Sequence, residues 1–254
     1  MTEGNLIRAS IITVCYNSSN TILENIRSVN NQSHMNIEHI FIDGVSDDNT
    51  LEIIKSNSTR DLKLISEKDR GIYDAMNKGV QIANGDFICF LNSDDVYTYE
   101  FVIEDVAQSF SKKDVDVVFG NIKYFDKRNN YVRSFNAPNK FNDVLKGYQI
   151  PHPAFFIKTS IAKKLEGPFD PSYKISSDFK QQIFLAYNYD LKFFKLNKTL
   201  VNMRTGGASN KSFINRLVGW REVLDSYKEL TGQNGIVILL RKLIINFSGL
   251  IKSR

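Results

Sequence analysis

The chain has 254 residues, 42% of them hydrophobic, and 33 Lys and Arg against 28 Asp and Glu, for a net charge of +5. That is enough apolar material for one large domain or a domain with a sizeable appendage, and it excludes disorder as the default. The basic balance suits an acidic small substrate, nucleic acid or an anionic membrane surface. The cations lack aromatic interleaving, so nucleic acid is not expected. Cys15 and Cys89 lie inside apolar runs and read as reduced core residues, without a disulfide framework or Cys-based metal site. Neither a signal peptide nor an uncharged apolar run of about 18 residues is visible. The expectation is a cytoplasmic protein with no transmembrane helix.

In chain order, Ala9–Cys15 reads as a strand, residues 16–20 as a turn and residues 21–30 as a helix with Ile22, Leu23, Ile26 and Val29 on one face. Residues 37–42 form a second strand, closed by Asp43-Gly44-Val45-Ser46-Asp47-Asp48, and a helix carrying Leu51, Ile53 and Ile54 follows. A third strand at 62–66 precedes a helix at 71–83. The fourth strand, 86–91, is apolar enough to be buried on both faces and runs straight into Asn92-Ser93-Asp94-Asp95. A helix is expected to start near Tyr97, for which Ser93 and the acids would serve as caps.

Four strand–helix repeats imply a mostly parallel sheet with helices on both faces, an α/β fold. Polar residues then end every strand: Tyr16-Asn17, Asp43, Glu67 to Arg70, and Asp94-Asp95. They converge at the carboxyl edge, where open α/β sheets bind ligands. Two adjacent acids repel, and a cation between them lowers the cost of keeping both ionised. Neither G-x-G-x-x-G after the first strand nor G-x-x-x-x-G-K-[ST] occurs, so dinucleotide and P-loop binding are unsupported.

The segments SIITVCYN (10–17), FIDGVSDDNT (41–50), SEKDRGIYDAMNKG (66–79) and ANGDFICFLNSDD (83–95) occur in an order and spacing that resemble family 2 inverting glycosyltransferases of the GT-A fold. That resemblance implies Thr13, Tyr16, Asn17 and Asp43 around the nucleobase and ribose of a sugar nucleotide, Arg70 near the same nucleoside, and Asn77 supporting the loop. Asn92, Ser93, Asp94 and Asp95 occupy the place of the family's DxD metal motif. Asn92 stands at its first acidic position, so the load of a Mn2+ or Mg2+ falls on Asp94 and Asp95.

In the second half, strands are expected at 116–120, 191–194 and 200–203, and a hairpin at 121–125 and 131–135. A short helix is expected at 141–147, an apolar strand within 150–157, and a helix that opens in the segment 175–181, with Ser176 or Ser177 as its cap, and runs to about Tyr187. His152 before an aromatic pair resembles a family position on the acceptor or diphosphate side. Arg204, opening a Gly-rich loop, could meet phosphate. Asp178 reads either as a helix cap or, by the resemblance, as the catalytic base, with Ser177 where the family usually has a second acid.

The resemblance implies transfer of a sugar from a nucleotide-sugar donor to a hydroxyl of a saccharide acceptor, lipid-linked in many relatives that build bacterial polysaccharides such as lipopolysaccharide. A nucleotidyltransferase and an inactive binding module on the same fold are the alternatives. The expected organisation is a catalytic domain at 1–210, divided into halves at 1–97 and 98–210, and a helical extension at 211–254. The tail 235–254 is apolar with only basic charges. It fits a helix lying on the inner face of an anionic membrane. Packing on the domain's own core or on a second subunit is the rival reading.

Overall fold

The computed structural model describes residues 7–126, 128–165, 167–206 and 213–251, apart from the side chains of 243 and 245–251. Its centre is a nine-stranded sheet. The first half supplies β1 (Ala9–Cys15), β2 (Ile37–Asp43), β3 (Asp61–Ser66) and β4 (Phe87–Phe90). These lie parallel in the order β3-β2-β1-β4. β1, β2 and β4 are buried along their whole length, which is why they read as continuous apolar runs. The crossovers are α1 (Ile22–Asn30), α2 (Thr50–Asn57) and α3 (Ile72–Ile82). In α1, Ile22, Asn25, Ile26 and Val29 form the buried face at the helical spacing. Gly79 lets α3 lie close on β1, for a Cβ there would stand 2.5 Å from Ile12 Cγ2.

The expected parallel arrangement holds for this half. The second half joins β4 through antiparallel pairing with β8 (Phe155–Lys158), which pairs antiparallel with β6 (Val117–Phe125). β6 then pairs in parallel with β9 (Phe193–Arg204) and in a hairpin with β7 (Tyr131–Phe135). Side chains alternate across the sheet. Ile12 and Val14 pack with Met76 and Val80 on one face, while Ala9, Ile11, Phe87 and Cys89 pack on the other with α4 (Val102–Lys112). Both cysteines are free and buried, as expected, and burial pushes the Cys89 thiol up to about 12.

Three elements differ from their sequence reading. No helix starts at Tyr97: Val96–Tyr97 is a short strand, β5, paired with β9, and the helix begins at Val102. The two strands expected at 191–203 are one, β9, bent where its register against β6 shifts around Gly120. At 150–157 the strand is preceded by a 3-10 turn, His152–Ala154, because Pro151 and Pro153 cannot donate to a ladder.

The C-terminal helices are part of the core. Phe179 and Ile183 of α6 (Ser177–Asn188) share a buried cluster with Val223 and Tyr227 of α7 (Phe213–Thr231) and Ile238 of α8 (Ile236–Ile251). The short helix α5 (Thr159–Lys164) follows β8. The loop after Arg204 lies largely outside the described residues.

His39 on β2 is fully buried, with Nε2 3.0 Å from Thr13 Oγ1, and burial pushes its pKa down to about 3. Below an unfolded-state value near 6.5 the unfolded chain takes up this proton first. Stability should therefore fall between pH 6.5 and 3, by roughly 1.4 kcal/mol per pH unit from this group. Denaturant titrations of His39→Gln should show a correspondingly shallower pH dependence; identical slopes for the two proteins would contradict the assignment.

Candidate active site

Four loops meet at the carboxyl edge of β1 to β4. Asn17 takes a left-handed conformation, φ 48°, one of few side chains that tolerate it. Its Oδ1 accepts from the Asp47 N–H at 3.0 Å, and its own N–H donates to Ser46 Oγ at 2.9 Å. Asp43 is fully buried beneath them and accepts from the Ser46 N–H at 3.0 Å and Ser66 Oγ at 2.7 Å. It binds the loops after β2 and β3 together. Tyr16 is 63% exposed and lies against Gly44. A Cβ at Gly44 would stand 2.9 Å from Asp69 Oδ2 and 3.5 Å from the Tyr16 ring. A flat ring, bare backbone and a carboxylate thus border one narrow space.

Thr13 is also fully buried. Its hydroxyl donates to the Leu91 carbonyl at 2.8 Å, so it tethers β4 from below the surface. Arg70 is exposed and pairs with Asp74 at 2.9 Å. Asn77 donates to Phe169 O at 2.7 Å and accepts from Phe169 N at 3.0 Å, which docks the 167–170 loop on α3.

Beyond β4 the turn 92–95 is held by Asn25, whose Nδ2 reaches Asn92 O at 2.8 Å, Asp95 O at 3.2 Å and Leu91 O at 3.4 Å. Ser93 Oγ lies 3.0 Å from Ser18 Oγ of the first loop. Asp95 is 1% exposed, accepting from Asn92 Nδ2 at 3.0 Å and from the Arg204 N–H at 3.3 Å. Burial, and then the charge of Asp94, raise its pKa well above the usual carboxylate range. Asp94 instead lines a surface opening of about 230 Å3 with Glu24, Val96, Asn202 and Arg204. The Arg204 guanidinium pairs with Glu24. Of the two acids, Asp94 is the one placed at the opening.

No cluster of three or more His, Cys, Asp or Glu able to hold a metal occurs among the described residues. Asp94 and the buried Asn92 Oδ1, which has no partner among those residues, are hard oxygen donors. Such a set suits Mg2+ or Mn2+ bound through one or two carboxylates together with substrate phosphates.

Asp178 stands in the first turn of α6, half-buried. Tyr73 Oη donates to its Oδ1 at 3.4 Å, and Gln149 Nε2 lies 3.5 Å from Oδ2. The backbone leading to it is held from α7, where Glu222 accepts the N–H groups of Lys174, Ile175 and Ser176 at 2.6, 3.0 and 2.8 Å. Ser177 Oγ accepts from the Asp170 N–H at 2.6 Å, a loop-closing role that an acid could also fill. His152 is 8% exposed, stacked on Phe90 at 4.8 Å and edge-on to Phe169 at 5.5 Å, with both ring nitrogens unpartnered among the described residues. Burial lowers its pKa and the charge of Asp178 raises it. Tyr124 is raised by burial, lowered by Arg133, and raised again by the charges of Asp95 and Asp178.

Sequence reasoning missed Asn25, Tyr73, Gln149 and Glu222. Asn25 had a signal, being a polar residue on the apolar face of α1. Tyr73 sits inside one of the motif segments. Glu222 had none, because its three partners lie 46 to 48 residues away.

Residues 10–166, more than half of the chain, match the model of glycosyl transferase family 2. The chain belongs to this family. It is 26% identical over 211 residues to an uncharacterized glycosyltransferase of Methanocaldococcus jannaschii, covering 79% of this chain and 72% of that one. It is 29% identical over 163 residues to the UDP-Glc:alpha-D-GlcNAc-diphosphoundecaprenol beta-1,3-glucosyltransferase WfgD of Escherichia coli, covering 63% of this chain and 64% of WfgD. Among solved structures, S. aureus TarS 1-349 in complex with UDP-GlcNAc superposes with a TM-score of 0.71 at 20% identity, over 95% of this chain and 73% of that chain. The mannosyltransferase PcManGT from Pyrobaculum calidifontis, in complex with GDP-Man and Mn2+, gives 0.66 at 13% identity, over 96% and 71%. At those identities the likeness shows the fold alone, which is GT-A. The glycosyltransferase class is that of the family; no helix among the described residues is long and apolar enough to cross a membrane.

Proposed function

We propose that this family member is an inverting, metal-assisted glycosyltransferase that moves a sugar from a nucleotide-sugar donor to a hydroxyl of a saccharide acceptor, lipid-linked, in bacterial surface polysaccharide synthesis. The observation that carries this is Asp178: a half-buried carboxylate in the first turn of a helix, held by Tyr73 and Gln149. TarS with UDP-GlcNAc and PcManGT with GDP-Man and Mn2+ support the donor class, and WfgD supports the acceptor class.

In this reading the base and ribose lie along Tyr16, Asn17 and Gly44, over the buried Asp43, with Arg70 and Asp69 at the rim. The diphosphate lies by Ser93 and Asp94, with His152 and Arg204 on its far side. Asp94, with Asn92 or Asp95 beside it, would hold a divalent metal, which would supply neutralising charge for the departing nucleoside diphosphate. Asp178 takes the proton of the acceptor hydroxyl as that oxygen bonds to the anomeric carbon from the face opposite the diphosphate. The carbon–oxygen bond to the diphosphate breaks in the same displacement, so configuration inverts. Asp178→Asn keeps size and most of the packing. It should leave donor affinity within a few-fold while cutting turnover about 10²-fold or more. Loss of donor affinity with full turnover at saturation would make Asp178 a binding residue instead.

The helical extension adds a membrane reading. α8 turns Ile236, Val237, Leu240 and Ile244 outward as one exposed stripe, and the charge beside it, the exposed Arg241, is basic. An apolar face with only cationic charges fits an anionic lipid interface on the cytoplasmic side, next to a lipid-linked acceptor. Paired Val237→Asp and Leu240→Asp substitutions lie on this exposed face. They should abolish sedimentation with phosphatidylglycerol vesicles while donor hydrolysis persists. Unchanged sedimentation would leave the stripe to contact between copies of the chain.

A further inference from the structure

α8 presents a second, inward face. Ile238 is buried among Phe179, Ile183, Val223 and Tyr227, and its carbonyl lies where a Cβ at Gly147 would come within 2.8 Å. Gly147 itself has φ 92°, so this close seat suits glycine. One turn further along the same face is Lys242, half-buried, with Nζ 3.8 Å from the centroid of the Phe179 ring. Phe179 follows Asp178 directly in α6. The C-terminal helix thus sets an ammonium on the ring of the residue that follows Asp178.

Lys63, Lys158 and Lys180 are likewise half-buried, and each pairs with a carboxylate. Lys242 takes part in none of the ion pairs found among the described residues; its contact is an aromatic face. Burial pulls its pKa down to about 8, and the charge of Asp178 acts in the opposite direction. At neutral pH it remains mostly protonated, partly withdrawn from water and without a carboxylate partner among the described residues, a condition under which an incoming anion gains.

We propose that Lys242 binds the phosphate of a phosphate-linked acceptor, holding the acceptor sugar beside Asp178. The proposal rests on the reading of Asp178 as the acceptor-side base. The donor diphosphate is the other phosphate of the proposed reaction, and the opening at the β4 turn already has a cation in Arg204, which lines it with Asp94 and pairs with Glu24. On the membrane reading of α8, its outward stripe would bring the same helix to the depth of lipid headgroups, where such a phosphate would lie.

The test is calorimetric and needs no turnover. Geranyl diphosphate is titrated into wild type, Lys242→Met and Lys242→Arg, with geraniol as the uncharged control and UDP with Mn2+ as the donor-side control. Lys242→Met should weaken geranyl diphosphate at least about tenfold, with geraniol and UDP unchanged within about twofold, and Lys242→Arg should recover most of the loss. Matching thermal unfolding curves for the three proteins show that the fold is intact. Equal affinity of wild type and Lys242→Met for geranyl diphosphate, or no binding by wild type, overturns the proposal. A parallel loss of UDP affinity also overturns it and places Lys242 on the donor. Failure of Asp178 as base would appear as undiminished turnover of Asp178→Asn, a result independent of these titrations.

Discussion

The carbonyl of Leu91, where β4 ends, accepts from Thr13 Oγ1 at 2.8 Å and from Asn25 Nδ2 at 3.4 Å. That pair of side-chain bonds anchors the turn that carries Asn92 to Asp95. Thr13 comes from β1 and Asn25 from α1, so the turn is registered against the first strand–helix unit and not against its own neighbours. Both donors are fully buried, where a backbone carbonyl left unpaired would cost about 1–3 kcal/mol. The position of Asp94 at the opening follows from this anchoring, as does the burial of Asp95. The same logic repeats one loop over, where buried Asp43 collects Ser46 and Ser66 and leaves Tyr16 and Gly44 at the surface.

The surroundings of Asp178 are built differently. Asp178 is positioned by elements far apart in sequence: Tyr73 from α3, Gln149 before the 3-10 turn, and Glu222 through the three N–H groups ahead of α6. The loops at the carboxyl edge of β1 to β4 are therefore a property of parallel-sheet topology, while the surroundings of Asp178 are assembled by packing of the C-terminal helices. α7 and α8 share a core with α6. Their part in the molecule is structural before it is anything else, and the apolar stripe on α8 is what remains after that packing is satisfied.

The parallel half of the fold was legible because its strands are uninterrupted apolar runs and its loops end in polar residues; β1 has the bounds that its sequence suggests. Thr13 and Asp43 were legible as important positions, though not as buried ones: alternation cannot tell a polar side chain that faces substrate from one that ties two loops beneath it. The second half was harder for a physical reason. Most of β9 is half-exposed or exposed, and residues 195–199 carry too little apolar signal to join two expected strands into one. Val96 and Tyr97 became a strand because β9 offered an edge, a tertiary fact that overrides local capping chemistry. Glu222 and Lys242 act only through contacts with α6 and its approach, and no spacing rule reaches them.

The central claim is that ligand binds at the carboxyl edge of β1 to β4. A groove of about 520 Å3 at the opposite edge, lined by Asn84, Asp86, Lys158, Thr159 and Lys163, is the competing location. Hydrogen exchange with and without UDP and Mn2+ separates the two. Slowed exchange at residues 16–19, 43–48, 66–71 and 92–95, with 84–86 and 158–163 unchanged, is the predicted result. Protection confined to 84–86 and 158–163 would contradict it.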